Sequence, residues 1–327
     1  MDSSADRTTS IAFLGIVIFG GLNGLAVKYT IFELDPFWGA ALRFLLAAVL
    51  LGGIVMLRRL PLPRGRALAG SVLYGLLGFA IPYALMYYGI VEAPAGLLMV
   101  MLALVPLLTL LLAVAQGLEK LRRQGLAGAL LAIGGVAIIF AERVGAQGDL
   151  AVPLLSLLAI LGATVALAET GVVVKSLPRA HPVVNNTLAM AIGGLVLLGV
   201  AIVAGDAMVI PAQPQTIAAT VYLVLGGSIA LFMLFLYVIE RWSASATSYA
   251  VLLMPIVTIA LGAILLAEPI TVGLLGGAAL IVAGVYLGAF APSLTSPWPI
   301  SLRRPPTAAA AAAAAGADPE APSIPCP

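Results

Sequence analysis

Ten stretches of at least 18 residues, each almost wholly apolar, follow one another along this chain. They lie at 10–28, 37–57, 67–89, 95–115, 124–141, 150–174, 183–204, 216–238, 244–266 and 270–290. A helix rising 1.5 Å per residue needs roughly 20 residues to cross a hydrocarbon layer about 30 Å thick, so each stretch is long enough to span a bilayer. Amides in a bilayer core have no water to bond, which leaves helices or closed barrels. These runs lack the alternation of a barrel strand, and helices are predicted. Composition agrees: 62% of residues are hydrophobic and 9% charged, against about a quarter charged in a soluble domain. The expected fold class is an all-α integral membrane protein with ten transmembrane helices, surrounded by the lipid bilayer as its solvent.

A second constraint is internal repetition. Residues 105–136 return 149 residues later as 254–285, with ten of 32 positions identical, among them Pro106/Pro255, Thr109/Thr258, Glu119/Glu268, Gly128/Gly277 and Gly135/Gly284. Outside that window the same offset pairs Tyr88 with Tyr237. The chain therefore divides into an amino-terminal tail (1–9), a first five-helix repeat (10–141), a second five-helix repeat (150–290) and a Pro/Ala-rich tail (291–327) too poor in apolar bulk to fold alone. Because five is odd, the second repeat enters the membrane from the opposite side to the first. Inverted repeats of this kind are the architecture of secondary transporters that work by alternating access.

Thirteen Lys and Arg residues fall in the tails and in the loops after spans two, four, six and eight; the opposite loops hold only Lys28 and Arg143, and Arg43 is left inside span two. Basic loops resist translocation, so both termini are expected in the cytoplasm, with the protein in the inner (plasma) membrane. The net charge of +2 reports this loop asymmetry and contact with anionic headgroups, not nucleic-acid binding.

Polar side chains within spans are few enough to consider singly, since a charge at the bilayer centre costs at least about 2.5–3.5 kcal/mol. Arg43, Asn23 and Tyr83 fall at similar depth in the first three spans, with Tyr87 one turn beyond Tyr83; together they could line a chamber. Glu169 is the carboxylate well inside a span. It is the candidate for proton coupling, because a partly desolvated Glu exchanges protons near neutral pH; the alternatives for it are a side chain reaching the inner interface or an ion pair with Lys175. Asn186 starts span seven, where an Asn can also cap a helix. Ser248 and Tyr249 could line the cytoplasmic half of a path. Pro106 and Pro255 predict kinks in spans four and nine. Glu119 and Glu268, just before spans five and ten, suit the amino-terminal dipoles of those helices.

The sequence has no phosphate-binding Gly-x-x-x-x-Gly-Lys-Ser/Thr loop. Its one histidine, His181, lies in a loop, and its one cysteine, Cys326, near the end of the chain. These leave no metal cluster, cofactor motif or catalytic set to support an enzyme.

The blocks Pro106-Leu107-Leu108-Thr109, Glu119, Gly128-Ala129 and Gly135-Val136, repeated as Pro255-Ile256-Val257-Thr258, Glu268, Gly277-Ala278 and Gly284-Val285, resemble the EamA family of ten-helix permeases within the drug/metabolite transporter superfamily. Phe19-Gly20 with Lys28, and Arg43-Phe44-Leu45-Leu46-Ala47, are similar to that family's first two helices. The resemblance implies a central cavity between the halves and movement of a small organic metabolite, such as an amino acid or a related anion or zwitterion. The expected function is a permease, acting as an exporter; the alternative is a non-transporting membrane receptor or scaffold.

Overall fold

The computed structural model describes residues 3–90, 101–121, 123–145, 153–176, 178, 180–266 and 272–290. The parts of span four before residue 101, Glu268 and the tail from 291 lie outside them. Among the described residues the structure is helical throughout, without strands. α1 is Ser3–Ile31, so the helix already includes most of the segment read from sequence as an amino-terminal tail. α2 is Pro36–Leu57. α3 runs over Arg66–Gly75, a wide π turn Leu76–Ala80, and Ile81–Ile90. α4 is Val105–Ala115, α5 Arg123–Gly145, α6 Leu154–Ser176 and α7 Pro182–Ala204. α8 runs over Pro214–Val224, a π turn Leu225–Ala230, and Leu231–Arg241. α9 joins Ala244–Ser248 to Ala250–Leu266 at Tyr249, and α10 is Val272–Val285 followed by a π turn Tyr286–Phe290. Among the described residues six segments are long and apolar enough to cross a membrane: Arg7–Ile31, Pro36–Leu57, Arg66–Gly89, Leu154–Ser176, Pro182–Ala204 and Pro214–Arg241.

Large apolar side chains such as Val49, Met56, Leu155 and Val203 stand exposed on the outside of the bundle. In water such a surface would associate; against lipid tails it is the ordinary solvent-facing side. With no hydrophobic drive between helices in lipid, close approach depends on small residues. α5 and α10 show it: a Cβ on Gly128 would lie 2.5 Å from the Gly284 carbonyl, and one on Gly135 would lie 2.5 Å from the Gly277 carbonyl. Rising numbers on α5 meet falling numbers on α10, so these equivalent helices of the two repeats run antiparallel. α2 and α7 do the same, with Gly52 beside Thr187 and Leu45 beside Gly194.

The helix partners obey the same exchange. α1 lies against α8 and α9, while α6 lies against α3 and α4; α2 meets α7, and α5 meets α10. Adding five to each label of the first half, and subtracting five in the second, returns the same set. Two of the three π turns obey it too, since Leu76 and Leu225 are 149 residues apart; the third, Tyr286–Phe290, faces regular helix at the equivalent 137–141. In α3 the wide turn precedes Pro82, whose missing N–H withdraws the helical donor from the Gly78 carbonyl inside that turn. In α8 it contains the Gly226–Gly227 pair.

The bend expected at Pro106 is a break instead. Residues 103–104 form a turn, and Pro106 sits in the first turn of α4, where the lost N–H had no helical partner to bond. Pro255 lies inside Ala250–Leu266, and the interruption of α9 falls earlier, at Tyr249.

Candidate functional site

The bundle has a near end, where α1 begins, and a far end opposite it. In the far half, α2 carries Arg43 inward, 2% exposed. Its guanidinium lies 4.4 Å from the centre of the Phe44 ring and 5.2 Å from that of Tyr83, and Nη2 donates to the Tyr83 hydroxyl at 3.3 Å. Nε finds no acceptor among the described residues. Phe44 stands edge-on to Phe79 and Tyr83; Tyr83 neighbours Tyr87, Tyr87 meets Phe37, and Phe79 meets Phe232 of α8. Arg43 thus sits in an aromatic enclosure with its charge unmatched, since among the described residues no carboxylate pairs with it.

Sequence reasoning placed Asn23 with this group, but the structure puts it against α8. Its Nδ2 donates to the Gly227 carbonyl at 3.3 Å, inside the π turn, and its Oδ1 is buried without a donor among the described residues. A side chain at Gly227 would collide with that Oδ1. Tyr222, one turn earlier on α8, donates to the Phe19 carbonyl at 2.8 Å. It also lines an apolar groove of about 320 Å³ between α1 and α8, with Leu22, Tyr29 and Ala219.

The remaining candidates gather at the near end, away from Arg43, so the eight residues do not share one chamber. Glu169 is half-buried, and its Oε1 accepts from Gln116 Nε2 at 2.7 Å, joining α6 to the end of α4. The alternative ion pair with Lys175 is not made: the Lys175 Nζ donates to the carbonyls of Ile239 at 2.7 Å and Trp242 at 2.8 Å, closing the last turn of α8. Asn186 does not cap α7. His181 does, its Nδ1 accepting from the Val183 N–H at 3.3 Å, while Asn186 is wholly buried with its Nδ2 on the Met233 sulfur at 3.3 Å. Ser248 donates to the Ser245 carbonyl at 2.6 Å, and Tyr249 to the Gly125 carbonyl at 2.8 Å, ties that hold backbone in place.

Three groups were underrated by sequence reasoning. Glu119 does not serve the start of α5; it accepts from the Ser245 N–H at 3.0 Å and from the Ser245 hydroxyl, fastening the start of α9 in the other half. At the far end the Trp38 N–H donates to Asp206 Oδ2 at 2.9 Å, and the Ala207 N–H to Asp35 Oδ2 at 2.7 Å. Glu33 accepts from the N–H groups of Ala212 at 2.7 Å and Gln213 at 3.2 Å, and the Ala212 bond, foremost, holds its carboxyl below the usual 4.5. Acids just beyond span one were the available signal for these far-end ties.

Bundled apolar helices in two exchangeable halves, enclosing an unmatched charge, define a multi-pass membrane transporter. The chain belongs to the EamA-like transporter family, whose model matches residues 7–141 and again 154–289. It is 27% identical over 281 residues to an "Uncharacterized transporter" of Archaeoglobus fulgidus, covering 83% of this chain and 95% of that one. It is 27% identical over 253 residues to the "Uncharacterized inner membrane transporter YedA" of Escherichia coli strain K12, covering 77% and 80%. To a "Probable amino-acid metabolite efflux pump" of Salmonella typhimurium it is 26% identical over 295 residues, covering 87% and 95%. A solved crystal structure superposes with a TM-score of 0.74 at 20% identity, over 86% of this chain and 96% of that chain, a likeness of fold.

Proposed function

We propose that this protein is an inner-membrane secondary transporter that exports a small organic metabolite by alternating access, through ten spans arranged as two inverted repeats with both termini in the cytoplasm. The observation that carries the reading is the placement of Arg43, a charged residue with no counter-ion among the described residues, enclosed between two halves whose equivalent helices run antiparallel. Buried charges are retained where they are paired or where they serve function, and inverted halves offer a means of exposing such a site to either side in turn.

The basic loops support an orientation with the near end in the cytoplasm. The name of the Salmonella relative supports a metabolite cargo moved outward, and that of the Escherichia coli relative supports the inner membrane. Glu169 is the candidate for proton coupling: it is a span carboxylate, and its bond with Gln116 links one half to the other.

Purified protein reconstituted in liposomes is expected to move at least one member of a broad panel of amino acids and organic acids under imposed pH gradients and potentials. Absence of any saturable flux across that panel overturns the transporter reading.

A further inference from the structure

The charge in the far half is one-sided, and so is the polarity around it. Arg43 has five N–H donors; among the described residues one is used, at 3.3 Å, on a neutral hydroxyl, and Nε has no acceptor. Among the described residues the carboxylates of the far end are committed elsewhere: Glu33 to Ala212 and Gln213, Asp35 to Ala207, Asp206 to Trp38. Glu119 and Glu169 are held at the near end by Ser245 and Gln116. Among the described residues no negative group therefore offsets Arg43.

The repeat sharpens this asymmetry. The position equivalent to Tyr83 in the second half is Phe232, 149 residues on; Pro36 and Pro182, which open α2 and α7, stand 146 residues apart, and on that register the equivalent of Arg43 is Ala189, which is buried and apolar. The first half presents a guanidinium and a phenol; the second presents Phe232 in contact with Phe79, ring centres 4.5 Å apart. A ligand matched to both walls has an anionic end and an apolar, preferably flat, body.

We propose that Arg43 binds the carboxylate of a singly charged organic anion with an apolar body, and that a cargo carrying an ammonium group as well is disfavoured. The inference rests on the transporter reading and names its substrate class. A guanidinium takes a carboxylate through two parallel N–H bonds, which uses the unpaired Nε. Tyr83, which accepts from Arg43, keeps its own hydroxyl proton to donate to a carboxylate oxygen. The rings hold an apolar body against α8. Among the described residues an ammonium would find no carboxylate to pair with there, and it would stand beside a fixed positive charge.

The test uses the full chain in phosphatidylethanolamine/phosphatidylcholine liposomes at pH 7, comparing phenylpyruvate with phenylalanine, which share a ring and a carboxylate and differ in the ammonium group. Phenylpyruvate is expected to move at least tenfold faster and to raise the melting temperature of the purified protein, with phenylalanine doing neither to that extent. Arg43→Gln and Arg43→Lys are expected to lose at least nine-tenths of phenylpyruvate flux. Should both fail to fold, Tyr83→Phe, which keeps the ring and removes the hydroxyl, is expected to lower the preference severalfold. Equal or faster phenylalanine flux, or undiminished phenylpyruvate flux in a folded Arg43→Gln protein, overturns the inference. So does a protein that moves other solutes but neither binds nor moves phenylpyruvate, and in that case the transporter reading survives. No flux of any solute overturns both.

Discussion

Gly128 and Gly284 meet backbone to backbone, each so placed that a Cβ on it would lie 2.5 Å from the carbonyl oxygen of the other. They are not repeat equivalents of one another. Gly128 corresponds to Gly277 and Gly284 to Gly135, so each glycine of one pair rests on a glycine of the other, as antiparallel equivalent helices require.

Gly128→Ala is therefore expected to force α5 and α10 apart and to cost about 1–3 kcal/mol, the usual range for overpacking. Gly134→Ala and Gly276→Ala, where nothing lies within 4 Å of the added carbon, serve as neutral controls. Thermal melts of the three proteins in one detergent decide it; equal melting temperatures would show that the helices have slack at Gly128.

Lys175→Met is expected to leave the Ile239 and Trp242 carbonyls without their donor at the end of α8. Loss of a charged donor from partly buried acceptors costs about 1–3 kcal/mol. Lys175→Arg, which keeps a cation at the negative end of that helix, is expected to recover part of it. A melting temperature for Lys175→Met within a degree of the parent protein would assign those contacts no weight.

Glu169→Gln is expected to flatten the pH dependence of transport between pH 5.5 and 8 while leaving the fold intact, because the amide can still bond Gln116. Flux measured across that range checks it. An unchanged profile removes Glu169 from any coupling role.

Glu33 supplies a pH dependence with a definite sign. Its folded carboxyl titrates below the ordinary 4.5, chiefly because it accepts the Ala212 N–H. Its contribution to the far-end ties is thus fully present above about pH 4.5 and fades as pH falls through the lower folded value. Glu33→Gln is expected to show less loosening of the loop at 205–213 on acidification below 4.5 than the parent protein, read by labelling a cysteine placed at Gln213. Identical acid profiles would argue against the Ala212 contact.

Helices and repeats were legible because solvent and duplication act over long windows: twenty apolar residues leave the backbone few choices in lipid. Local geometry was less so. The Arg43–Tyr83 neighbourhood could be read from depth alone, since each lies six residues from the far end of its span, 37–57 and 67–89. Depth says nothing of azimuth, and for that reason Asn23, at the same level, faces Gly227 instead. Glu169 and Lys175 are six residues apart on one helix, too far around it for a pair, and each finds its partner on a different helix. Pro106 reads as a bend because a single sequence does not show where one helix stops and the next begins. Pro82 was the overlooked proline, with the wide turn directly before it.

The wide turns at 76–80 and 225–230 each contain one residue more than a regular turn of the same rise. That surplus sets the azimuth of everything beyond it, and Tyr83 and Phe232 both come seven positions after the turn begins. Deleting one residue from either segment would rotate the rest of that helix by roughly 100°, carrying the ring away from the enclosure. The opposed walls around Arg43 therefore owe their alignment to two extra backbone units, one inherited by each half.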